Sequence, residues 1–62
     1  MIYFEVVIEG ITYQYRSFNQ ARDEYHELKK CGFRNAVLYR VEEANGDKYK
    51  FVWSDTFAAF MG

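Results

Sequence analysis

Few residues in this chain have side chains and spacing suited to chemistry: His26, Cys31, and the carboxylates Glu42, Glu43 and Asp47. His26 and Cys31 would be a nucleophile and its base, but five residues apart on a helix they do not face one another. No third residue is evident to orient the imidazole. His26 has no second histidine or cysteine pair at metal-ligand spacing, so a solvated place on a helix flank suits it better. Cys31 reads as a small packing residue beside a glycine cap. The carboxylates flank Asn45-Gly46, the tip of a hairpin. Paired acids do proton-transfer work in concave, partly desolvated sites, whereas a hairpin tip is convex, so these charges read as solvating. No glycine-rich phosphate loop is present. The expectation is a non-enzymatic chain with no catalytic residue, metal or cofactor.

Sixty-two residues make one domain, near the lower limit for folding without disulfides or metal. Half are hydrophobic and 21% aromatic, so a core can form only if most of the rings are covered. Where they are not, oligomerisation is the usual remedy. Eight basic and nine acidic residues argue against a protein that simply coats phosphate backbone. The single cysteine cannot form an intramolecular disulfide and suits a reducing cytoplasm. The opening MIYFEVVIEG is apolar but alternating, with Glu5 inside it. It is neither a signal peptide nor a membrane span. The chain from Met1 reads as one whole small gene product.

Alternation marks a strand over about 2–9, a turn at Glu9-Gly10, and a second strand over about 11–16. Ser17 and Gln20 form a capping box for a helix over about 18–31, closed by Gly32 with Phe33 packing back on Leu28. A second hairpin, strands about 34–43 and 48–53, turns at Asn45-Gly46. A two-residue loop there would put Val41 opposite Lys50 and Tyr39 opposite Val52, parting the valines from the aromatics. A G1 bulge shifts the register by one, and sets Val37, Tyr39 and Val41 beside Tyr49, Phe51 and Trp53 on one face. Glu42 then meets Lys48. The order is a ββαββ two-layer α+β sandwich, a four-stranded antiparallel sheet with one helix on one face. That helix is expected to cover Phe4, Val6, Ile8, Tyr13, Tyr15, Tyr39, Phe51 and Trp53.

The opposite face then carries Tyr3, Val7, Leu38 and Val52 among Thr12, Gln14, Arg16, Arg40, Glu42, Lys48 and Lys50. The tail SDTFAAFMG has Phe57, Phe60 and Met61 at helical spacing, and Ser54 or Asp55 could cap a short helix over about 56–61. Two turns are unstable alone, so this segment must dock on its own sheet, a second copy or a partner. An interface for a partner or for self-association is expected from Tyr3, Val7, Leu38, Arg40, Val52, Phe57, Phe60 and Met61. The alternative use of this face is nucleic-acid contact through Arg16, Arg40, Lys48 and Lys50. Tyr3 is the only ring on that face, where two or three are typical.

The run SFNQARDEYHELKKCGFRNAVLYRVEEANGDKYKFVW combines the Ala21-Arg22 helix start, the Val37–Val41 strand and the Asn45-Gly46 hairpin. In these features it resembles small phage-encoded ββαββ proteins, among them a group of type I-F anti-CRISPR inhibitors. That group is richer in lysine and arginine, and none of its functional residues maps onto this chain. The resemblance implies the fold and a phage or mobile-element origin. The resulting expectation is a cytoplasmic protein that binds a host defence or regulatory protein and inhibits it sterically. A homodimer is a second expectation, and nucleic acid and membrane are less favoured partners.

Overall fold

The computed structural model describes every residue from Met1 to Gly62. Five strands and one helix follow in order: β1 (Ile2–Ile8), β2 (Ile11–Tyr15), α1 (Phe18–Lys30), β3 (Val37–Ala44), β4 (Asp47–Ser54) and β5 (Ala59–Met61). They form one antiparallel sheet in the order β2-β1-β3-β4-β5, with α1 on one side. The α+β class and single helix agree with the sequence reading. The strand count and the C-terminal helix do not.

The first hairpin has the expected register, with Ile8 opposite Ile11, Val6 opposite Tyr13 and Phe4 opposite Tyr15. Glu9 and Gly10 both have positive φ, 52° and 76°, as a type I′ turn requires. The helix limits are equally local. The Ser17 side chain accepts the Gln20 N–H at its N-terminus. At the other end, Phe33 N–H bonds to the Leu28 carbonyl and Gly32 N–H to that of Lys29, a Schellman closure.

The second hairpin departs from expectation. Asn45 and Gly46, at φ 54° and 82°, form a two-residue type I′ loop with Ala44 opposite Asp47 and no bulge. Val41 therefore lies opposite Lys50 and Tyr39 opposite Val52. Leu38, Arg40 and Glu42 turn to the helix side with Tyr49, Phe51 and Trp53, while Val37, Tyr39 and Val41 turn away from it. The bulge was inferred on the premise that only one face is buried. That premise fails, because Val41 is fully buried on the side without a helix. Leu38 is likewise fully buried, but beneath α1, in a core with Val6, Ile8, Ala21, Tyr25 and Ala36.

The tail corrects a second expectation. Residues 59–61 add β5 to the edge of β4, with Phe60 opposite Trp53 and Met61 opposite Val52. Ser54 accepts the Phe57 N–H instead of capping a helix, and Ala58 at φ 50° turns the chain back. Phe60 points to the helix side, where its ring lies 5.1 Å from Trp53, 5.6 Å from Phe18 and 5.9 Å from Phe4. A helix about 10–12 Å across spans two or three strands at roughly 4.8 Å spacing, so it cannot roof five. The Phe18–Trp53–Phe60 cluster extends the cover toward β4 and β5.

Candidate functional site

The face away from α1 combines Tyr3, Glu5, Val7, Gln14, Tyr39, Val41, Glu43, Lys48, Lys50 and Val52. No second layer of backbone lies over it, yet Tyr3, Glu5 and Val41 are buried. Their cover is side chains. Lys50, opposite Val41 on β4, stretches across β3 to place Nζ 3.0 Å from Glu5 Oε1 on β1, passing 5.4 Å from the Tyr39 ring centre. Gln14 Nε2 donates to the other oxygen of Glu5 at 3.4 Å. At the adjacent end, the Tyr3 hydroxyl donates to Glu43 Oε1 at 2.6 Å, and Lys48 Nζ is 3.5 Å from the same oxygen. Val41, flanked in its row by Tyr3 and Lys50, is thereby closed off from solvent without a helix.

The electrostatics follow from these contacts. The hydrogen bond from Tyr3 holds the Glu43 carboxyl below its usual value, and the same bond pushes the Tyr3 hydroxyl up. Lys48 is pushed up by its contacts with Tyr3 and Glu43. Glu5 Oε1, fully out of solvent, receives no well-aligned hydrogen bond and relies on its ionic contact with Lys50. The two lysines that would hold a phosphate backbone are therefore already neutralised within the face. Tyr3, only 9% exposed as a residue, offers little surface for a base to stack on.

A different surface remains uncovered on the helix side. Ile2, Glu42 and Tyr49 lie in one cross-strand row, and Phe4, Arg40 and Phe51 in the next. Ile2 is 52% exposed and Tyr49 55%, while Phe51 is partly covered by Gly62. Arg40 pairs with Glu42 at 3.2 Å in the middle of the patch. Tyrosine, phenylalanine and arginine around an exposed aliphatic residue are the side chains that anchor protein interfaces.

The structure disperses the interface expected from sequence. Tyr3 is bonded into the polar face, Leu38 is core, and Arg40 belongs to the helix-side patch. Val7, Val52 and Met61 do lie on the face away from α1, and Val52 and Met61 are neighbours. Phe57 projects from the β4–β5 turn at 69% exposure, and Phe60 joins the aromatic cluster. Of the residues expected to contact nucleic acid, Arg16, Lys48 and Lys50 share the open face, and Arg40 does not. Glu42 meets Arg40, and Glu43 takes the place beside Lys48.

Ile2, Tyr49 and Phe51 were missed because one helix was taken to roof its whole face of the sheet, whereas these residues lie on the helix side but beyond its reach. The width of the helix, which reaches only two or three strands, was the signal that could have found them. A further cluster has no local signal at all. Asp55 accepts from Tyr25 Oη at 2.7 Å and from Trp53 Nε1 at 3.0 Å, with His26 Nε2 at 3.7 Å. The bond from Tyr25 holds Asp55 below its usual value, and burial followed by that bond pushes Tyr25 up to about 12. These contacts tie the β4–β5 turn to α1. Cys31 is exposed at the helix end. No three His, Cys, Asp or Glu side chains converge to hold a metal ion, and no helix is long and apolar enough to cross a membrane.

Comparison with known proteins gives no match: no protein-family model fits the chain, and no curated protein or solved structure is significantly similar.

Proposed function

We propose that this chain is a non-enzymatic binding module that docks on a protein partner through the helix-side patch of Ile2, Arg40, Tyr49 and Phe51. It would act by covering the partner's working surface. One observation carries the reading: the polar face engages Lys48 and Lys50 with Glu43 and Glu5, whereas Ile2 and Tyr49 in the patch beside α1 are each more than half exposed. Steric inhibition of a host defence or regulatory protein in the cytoplasm is the role that the resemblance to phage-encoded inhibitors implies. It fits a surface whose resources are shape and apolar area.

The test compares the wild type with a Tyr49→Ala/Ile2→Ser variant, whose altered side chains are both more than half exposed and so dispensable for folding. Tagged protein is used to capture partners from lysate, and labelled oligonucleotides are titrated in parallel over a salt series. A protein species retained by the wild type and lost in the variant supports the proposal. Oligonucleotide binding that weakens steeply with salt and needs Lys48 and Lys50 would overturn it in favour of a nucleic-acid regulator.

A further inference from the structure

We infer that the free edge of β2 pairs with β2 of a second copy, making the protein a two-fold dimer with one continuous sheet. The two edges of the sheet differ. The β4 edge left free by the short β5 carries Asp47, Lys48 and Lys50, charges of the kind that block edge-to-edge pairing. β2, Ile11-Thr12-Tyr13-Gln14-Tyr15, has no charge and no proline, and all but Tyr15 are exposed.

Hairpin geometry decides which backbone groups are free. In a two-residue loop the closing pair, Ile8 and Ile11, is hydrogen-bonded, so alternation makes Val6–Tyr13 and Phe4–Tyr15 hydrogen-bonded as well. Thr12 and Gln14 therefore direct their N–H and C=O groups away from the sheet. A two-fold axis through Tyr13 makes this edge its own complement. Thr12 of each copy meets Gln14 of the other and exchanges both backbone bonds. Tyr13 faces Tyr13, and Ile11 faces Tyr15 of the other copy. Ile11 and Tyr13, now 52% and 44% exposed on the helix side, would cover each other across the axis. At either end Arg16 falls opposite Gly10, beside Glu9 of the other chain, so the flanking charges are complementary. An axis perpendicular to the sheet keeps both helices on one side. It also separates the two β4 strands by seven strand spacings, roughly 34 Å.

Sedimentation equilibrium at micromolar concentrations tests this. The wild type should show twice the chain mass. Tyr13→Lys and Tyr13→Glu, which place like charges on the axis, should each show one chain mass, and their equimolar mixture should recover the dimer. In a Cys31→Ser background, Tyr13→Cys should give a disulfide-linked dimer on mild oxidation. Ile11→Cys should not, because its equivalents lie four residues out of register. Circular dichroism verifies that each variant is folded. A wild type that sediments as one chain would overturn the inference. So would a folded Tyr13→Lys that dimerises as the wild type does, or equal cross-linking from positions 11 and 13. None of these outcomes bears on the Tyr49 patch, which lies at the far side of the sheet.

Discussion

Replacing Tyr25 by phenylalanine deletes one oxygen and keeps the ring in the core. That oxygen donates to Asp55 Oδ2 at 2.7 Å and is the bond that fastens the β4–β5 turn to α1. A hydrogen bond to a charged acceptor is worth about 1.5–3 kcal/mol. The Asp55 side chain is 54% exposed, so water recovers part of the loss, and about 1.5 kcal/mol is expected. In a domain of this size, that lowers Tm by roughly 6–12 °C.

The pH dependence supplies an independent reading of the same bond. The Tyr25 hydroxyl is raised from 10.0 to about 12 in the folded state. Its contribution is therefore intact below pH 10 and is lost as pH rises through about 12. The full interval corresponds to at most about 2.7 kcal/mol, and roughly half of that once solvent screening beside Asp55 is allowed for. Asp55, lowered from 3.8, contributes above that value and loses its contribution as pH falls through its folded pKa. Thermal unfolding followed by circular dichroism at pH 7, 10 and 11.5 is the assay. Tyr25→Phe should melt lower at pH 7 and show a shallower decline at the alkaline end. A variant with wild-type Tm and the same alkaline decline would refute the reasoning.

Other substitutions probe the remaining contacts. Lys50→Met strands the buried Glu5 carboxylate and should cost about 3 kcal/mol, while Glu5→Leu/Lys50→Met should recover most of it in denaturant melts; equal melts would deny the pair a role. Gly46→Ala, at φ 82°, should cost about 1 kcal/mol in the same assay, whereas no loss would contradict the type I′ loop. Tyr3→Phe should let the Glu43 pKa rise toward its usual value in an NMR titration, because the bond holding it down is gone. Phe60→Ala should cost about 2 kcal/mol and raise quenching of the sole tryptophan, Trp53, by added iodide; unchanged quenching would mean β5 does not shield it.

Which features were legible in the sequence follows from how local their causes are. The first hairpin and α1 could be read because Glu9-Gly10, Ser17 and Gly32 act on their immediate neighbours. The second hairpin was misread because register was inferred from a single buried face. Val41 is instead buried on the other side, in a cross-strand row between Tyr3 and Lys50, so the alternation of valine and aromatic residues no longer identifies the inside. The tail depends on pairing with β4, and the Tyr25–Asp55 bond joins residues 30 apart, so neither has a signature in the local pattern. The binding surface inherited the register error at Leu38 and Arg40, which move to the helix side; Phe60 lies there because the tail pairs as β5, and Tyr49 is exposed because α1 does not extend over it.

Photo-cross-linking from position 49 reports on the docking patch itself. A benzoylphenylalanine analogue replaces Tyr49 in the full chain, expressed in the cells it comes from, with Thr12 and Lys50 as comparison positions. A discrete protein adduct is expected from position 49 and none from position 50, on the opposite face of the same strand. Adducts to nucleic acid from position 50, with none to protein from position 49, would contradict docking through this patch.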